Sequence, residues 1–239
     1  METRLGQSAA GRRALVIHHL RPVFDDAATA ALIAAGYQID RRFPIEGDAL
    51  PHPDEGHDIA LMHGSLADVT RPEDPGMAAE HRWIEAWWKT DRPYFGICHG
   101  FQLASMALGG RVGPPDHGQA EFGYYPLVSA QPDLVPDGLH VFQWHYYGAD
   151  LPAGCERIAG SALYPNQIVR FGEKRLGVQF HPEMSLEGQR HLRATVPDWK
   201  TRAGVQPAHH QEELAAAHHK PMQDWFAGFL HNWLEEIEI

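Results

Sequence analysis

The chain has 239 residues, with 20 Lys and Arg against 31 Asp and Glu, a formal charge of −11. That balance excludes the clustered cations that bind nucleic-acid phosphates and the basic face that adheres to an anionic membrane. Two cysteines exclude a disulfide scaffold and a multi-thiolate zinc site, while 17 histidines keep imidazole chemistry open.

Met1 to Arg13 is polar and rich in Gly, Ala and Ser, lacks the apolar centre of a secretory signal, and reads as a frayed leader. No apolar run reaches the ~18 residues of a membrane span. The expectation is a soluble, cytoplasmic chain forming one domain over 1–239. Ala14 to His18 is a short apolar run suited to a buried parallel strand. Asp25 to Gly36 predicts a helix, with Ala28, Ala31, Leu32 and Ala35 at helical spacing and Gly36 as its stop. Tyr37 to Asp40 is a second strand, and Ile59 to Met62, after a loop at 44–57, is a third. Met77 to Lys89 reads as a helix with Trp83, Ile84, Trp87 and Trp88 on one stripe. Pro93 to Ile97 is a fourth strand, and His99 to Leu108 a helix closed by Gly109 and Gly110. This alternation predicts an α/β parallel sheet.

The rhythm then changes. Gly123 to Ser129, Leu139 to Trp144, Glu156 to Gly160, Asn166 to Phe171 and Arg175 to Phe180 are short strands separated by turn residues, with a hairpin at Gly172 to Lys174. They predict an antiparallel β portion added to the sheet. Residues 197–220, with Pro, Gly and paired His, read as a surface excursion, and 221–236 as an amphipathic helix. In that helix Met222, Trp225, Phe226, Phe229, Leu230, Trp233 and Leu234 form one apolar stripe, a core face.

Gly96-Ile97-Cys98-His99-Gly100 falls where a strand ends and a helix begins, in the form of a nucleophile elbow with Cys in the central position. A sharp strand-to-helix turn forces that residue into a strained backbone, and small residues two positions away let the chains pass. The side chain then projects at the carboxyl edge of the sheet, where a helix N-terminus stabilises a thiolate and offers N–H groups to an oxyanion. Cys155, beside neither elbow nor helix start, reads as structural. A nucleophilic thiolate needs an imidazole partner. His181 closes the apolar run Gly177 to Phe180, Pro182 stops the strand, and Glu183 is near enough to fix the imidazole tautomer.

Together these segments resemble the class I (triad) glutamine amidotransferase family, in its free-standing, GMP-synthase-like branch. "PYFGICHGFQLASMALGGRV" is similar to the family's nucleophile segment and "LGVQFHPE" to its His-Pro-Glu segment. "VFQWHYYGADLP" and "YPNQIVRF" are similar to runs that lie between them. The resemblance spans Ala14 to Glu183. It implies a flavodoxin-like, mostly parallel sheet flanked by helices, a triad of Cys98, His181 and Glu183, and attack on a γ-glutamyl amide to give a γ-glutamyl thioester. It further implies that Gln102 and the main chain at Tyr146 and Tyr147, after Trp144-His145, hold the glutamyl group. The N–H groups of Gly64 and His99 would form the oxyanion hole. Two positions depart from the pattern. His63-Gly64-Ser65 stands where relatives carry Gly-Gly-Pro, so His63 and Ser65 become pocket candidates along with His145. His99 follows the nucleophile where relatives carry an apolar residue, and its side chain is expected on the helix flank rather than by substrate.

About 56 residues follow Glu183, too few for a synthetase domain, and no Walker-type phosphate loop is present. The acceptor of the amide nitrogen is therefore either a separate synthetase chain or water acting on a γ-glutamyl amide. Tyr124, Tyr125, Trp144, Tyr146 and Tyr147 are expected around the mouth, with room for an amine larger than ammonia. No cofactor or metal is implied: His209-His210 and His218-His219 read as solvated, with no patterned carboxylate or thiolate set beside them. The intact triad residues speak against a non-catalytic binding module.

Overall fold

The computed structural model describes residues 11–24 and 26–237. Most of the expected leader, and the helix start expected at Asp25, lie outside them. The first half of the chain alternates as expected. β1 (Arg13–Ile17) leads to α1 (Ala27–Ala34), whose N-cap Asp26 accepts the Thr29 N–H at 2.6 Å. Next come β2 (Gln38–Arg42), β3 (Ile59–Met62), α2 (Pro75–Trp88), β4 (Tyr94–Ile97) and α3 (His99–Ala107). The second half supplies β5 (Val112–Gly113), β6 (Glu121–Pro126), β7 (Val128–Ser129), β8 (His140–His145) and β9 (Gly148–Ala149). β10 (Glu156–Gly160), β11 (Ile168–Arg170), β12 (Arg175–Val178), α4 (Leu186–Thr195) and α5 (Ala208–Ile237) complete it.

An eight-stranded sheet runs β2-β1-β3-β4-β12-β11-β10-β7. The pairs from β2 through β12 are parallel and those from β12 to β7 antiparallel, so the added β portion extends the sheet beyond β12. Side chains alternate across the strands. Ala14 and Val16 face one apolar layer, which includes Leu32 and the α5 residues Phe226, Leu230 and Trp233. Leu15 and Ile17 face the other, filled by Trp83, Ile84, Trp87 and Phe101. β6 and β8 form a separate hairpin, with Glu121 opposite His145, packed against α5.

One expectation is corrected. Residues 208–220 are not an excursion but the first turns of α5, which continues through an exposed Pro221. Only Ala208, Leu214 and Ala215 of that stretch pack on the core, and Pro221 resembles a stop. Of the paired histidines there, His209 and His210 are exposed, but His218 stacks on His140 at 4.0 Å and His219 Nδ1 lies 3.2 Å from the Tyr124 hydroxyl. α4 corresponds to no predicted element. It carries few apolar residues and a Gly at 188, and it is fixed by the Ser185 side chain accepting the Gly188 N–H at 3.2 Å.

Candidate active site

The carboxyl ends of four neighbouring parallel strands converge: His18 and His19 follow β1, His63 and Gly64 follow β3, Cys98 follows β4, and Gln179 to His181 follow β12. Open α/β sheets place ligands at this edge. Cys98 has φ 49° and ψ −96°, one of two non-glycine residues with positive φ among the described residues, and its side chain is 6% exposed. Its neighbours show why the turn is spelled with glycine. A Cβ on Gly96 would lie 2.6 Å from the Gly100 carbonyl carbon, and one on Gly100 would collide with the Met62 carbonyl oxygen. α3 starts at His99, so the N–H groups of its first turn lack helical acceptors.

β12 lies beside β4 with Val178 opposite Ile97, which puts Gln179 next to Cys98 and His181 just beyond. Gln179 Nε2 is 3.5 Å from Cys98 Sγ, and Gln179 Oε1 accepts from Gln102 Nε2 at 3.2 Å. His181 is buried, with Nδ1 2.9 Å from Glu183 Oε1. Burial alone would lower its pKa. The Glu183 carboxylate, the adjacent Cys98 and hydrogen bonds to both outweigh it, and the pKa rises to about 10. The ring thus lies against both Cys98 and the Glu183 carboxylate, which favour its protonated form.

Gly64 faces both. A Cβ there would lie 2.6 Å from His181 Cε1 and 3.5 Å from Cys98 Cβ. Gly64→Ala is expected to displace the imidazole and lower turnover roughly 100-fold with little loss of stability, as measured by steady-state kinetics beside urea denaturation. The Gly64 carbonyl accepts from His19 Nδ1 at 3.2 Å, and His19 Nε2 lies 3.0 Å from Glu80 Oε1. The second Glu80 oxygen, Oε2, is 2.7 Å from His99 Nε2. A buried His19–Glu80–His99 chain thus ties the loop after β3 to the first residue of α3. The His99 side chain is spent in this chain, on the helix flank, and only its backbone borders Cys98. Opposed by burial but outweighed by the two imidazoles, the Glu80 pKa falls to about 2.

Cys98 opens on a cavity of about 300 Å³ lined by Ser65, Gln102, His145, Tyr146 and Tyr147. The Tyr147 carbonyl accepts from Gln102 Nε2 at 3.2 Å and from His145 Nδ1 at 3.0 Å. Five of the expected pocket residues therefore meet here. His63 does not: it stacks on His18 at 4.2 Å with Nε2 3.6 Å from Asp26, facing a different cavity. Nor do Tyr124, buried against Gln189, or Tyr125, whose hydroxyl reaches the Gly204 carbonyl. Cys155 packs half-buried beside the α2–α3 layer, and burial pushes its thiol pKa up.

Two donor sets, His18–Asp26–His63 and His19–Glu80–His99, each lie within 4.8 Å of one another, the spacing a metal ion needs. The second set is consumed by its own hydrogen bonds. In the first, the His18 and His63 rings stack with a tilt of 10°, and burial lowers the pKa of both imidazoles. Sequence reasoning missed Gln179, Glu80 and Asp26. Glu80 left a signal: it falls on the buried Met77, Ile84, Trp87 face of α2, where a lone carboxylate calls for partners.

A family model, "Glutamine amidotransferase class-I", matches residues 69–196. GMP synthase [glutamine-hydrolyzing] of Prochlorococcus marinus is 37% identical over 136 residues, 51% of this chain and 26% of that protein. The Porphyromonas gingivalis protein of the same name is 41% identical over 99 residues, 38% of this chain and 19% of its own. The chain thus spans about a quarter or less of the curated relatives it matches. A glutamine amidotransferase from Thermotoga maritima superposes with a TM-score of 0.79 at 25% identity, covering 94% of this chain and 98% of that one. One from Methylobacillus flagellatus shares the fold, with a TM-score of 0.81 at 20% identity over 94% and 95% of the two chains. No described helix is long and apolar enough to cross a membrane.

Proposed function

The chain belongs to the class-I glutamine amidotransferase family, and from that premise we propose that it cleaves a γ-glutamyl amide through a thioester on Cys98. The observation that carries this reading is the convergence of Cys98, on its strained strand-to-helix turn, with His181, whose Nδ1 lies 2.9 Å from Glu183 Oε1. The thiolate attacks the side-chain amide carbonyl, and the resulting oxyanion is met by the N–H groups of Gly64 and His99. His181 gives its proton to the nitrogen, the C–N bond breaks, and ammonia or an amine departs. A water then gives a proton to His181 and attacks the thioester. The C–S bond breaks, releasing glutamate and restoring the thiolate. Glu183 holds the Nδ1–H tautomer and offsets the ring's charge. Gln102, His145, Tyr146, Tyr147 and Ser65 surround the glutamyl group, and the scheme calls on no cofactor.

The test is acid-quenched mass spectrometry during turnover of glutamine and of γ-glutamyl amides. One glutamyl group is expected on the peptide that contains Cys98, and it should be absent from the Cys98→Ala chain. A label on another residue would refute the triad. A second reading, in which ammonia passes to a separate synthetase chain, is favoured by the relatives named GMP synthase, of which this chain matches 26% or less. It predicts weak glutaminase activity alone that rises when such a chain is added.

A further inference from the structure

Two cavities meet beside Cys98 and His181. Beyond the one that holds Cys98 is a second, of about 360 Å³, walled by His181, Gly64 and Glu183 and not including Cys98. The two adjoin at Ser65, Leu66 and Trp144. The outer wall comes from the segment after β1 and from α4, with Pro22, Val23, Phe24, Met184 and Leu192 supplying an apolar surface. Phe24 packs on His191 at 5.2 Å, and a Cβ on Gly188 would lie 2.9 Å from Met184 Cγ, so glycine lets α4 sit close to Met184.

The chemistry orients a substrate across this pair of cavities. The leaving nitrogen takes its proton from His181, so it sits against that ring, and whatever it carries extends away from the acyl group. Ammonia needs about the room of one water, roughly 30 Å³, which leaves the second cavity unexplained. The charged groups there are engaged: Asp26 caps α1 and lies by His63, Glu183 holds His181, and Arg21 pairs with Glu46 at 2.8 Å. Pro22, Val23, Phe24, Met184 and Leu192 offer no polar partner to a second charge on the ligand. We propose that this cavity receives the body of an uncharged alkyl or aryl amine. The substrate class is then the γ-glutamyl amide of an apolar primary amine rather than glutamine alone. This rests on the triad reading above.

The probes are γ-glutamyl-p-nitroanilide and γ-glutamyl-n-hexylamide, compared with glutamine on the purified chain. At least one amide is expected to exceed glutamine in kcat/KM by about tenfold or more. Val23→Trp, which fills the outer wall, is expected to lower that amide-to-glutamine ratio about tenfold. Thr195→Trp, at an exposed position lining the same cavity, repeats the test should Val23→Trp fail to fold. Turnover of glutamine with neither amide favoured, or a ratio that both variants leave unchanged, overturns the amine cavity and leaves the triad standing. If no substrate is turned over and Cys98 is never acylated, the triad reading fails, and this one with it.

Discussion

Cys98→Ala is expected to lower hydrolysis at least about a thousandfold while leaving the fold intact, because binding and the oxyanion donors remain when the nucleophile is gone. Ammonia and amine release measure the loss, and Cys98→Ser should behave alike, since a hydroxyl is a far weaker nucleophile than a thiolate. An active Cys98→Ala chain would end the mechanism. A third substitution separates chemistry from strain. With φ at 49° and ψ at −96°, position 98 is held where L side chains are uncomfortable. Cys98→Gly is therefore expected to be inactive yet about 1 kcal/mol more stable than Cys98→Ala in urea denaturation.

Glu80→Gln is expected to destabilise the fold by about 3 kcal/mol at neutral pH. The carboxylate is fully buried, and its pKa is displaced from 4.5 to about 2 by the imidazoles of His19 and His99. A depressed carboxylate contributes its stability above its unfolded pKa and loses it as the pH falls through the folded one. The gap between wild type and Glu80→Gln should thus be complete at pH 7, shrink below 4.5 and vanish near 2. Denaturation at about pH 7 and about pH 3.5 checks this, with a narrowing of about 1 kcal/mol expected. Turnover should also fall, by about tenfold, because the Gly64 carbonyl loses the His19 anchor. An unchanged denaturation midpoint at neutral pH would show that the carboxylate contributes nothing.

What could be read from the sequence was what is local. The run from β4 into α3 announces its turn within five residues, because Gly96 and Gly100 are demanded by contacts to close neighbours on the chain or on the adjoining strand. His181 was legible for the same reason, as the end of an apolar strand followed by Pro and Glu. The parallel sheet followed from alternating periods, and its antiparallel extension from short strands and turns. The rest depended on long-range placement. α4 has too few apolar residues to show a period, and the head of α5 hides behind Pro221. His63 stands next to Gly64 yet points elsewhere, since strand-end residues alternate between opposite directions and the His18 ring was waiting on one side. The second cavity exists only where the segment after β1 meets α4, a meeting no local pattern encodes.

The register of β12 against β4 has a consequence for how the chain matures. Cys98 and Gln179, in contact when folded, are 81 positions apart along the chain, and His181 lies beyond them. Parallel pairing over such a separation closes a long loop before any contact rewards it, and so comes late in folding. Until β12 docks, the thiol has neither its imidazole nor the second wall of its cleft. During synthesis the segment of Cys98 is made well before that of His181 emerges. If Cys98 is the nucleophile, its reactivity is expected only with the completed sheet, and its labelling by an electrophile would time the last long-range step of folding.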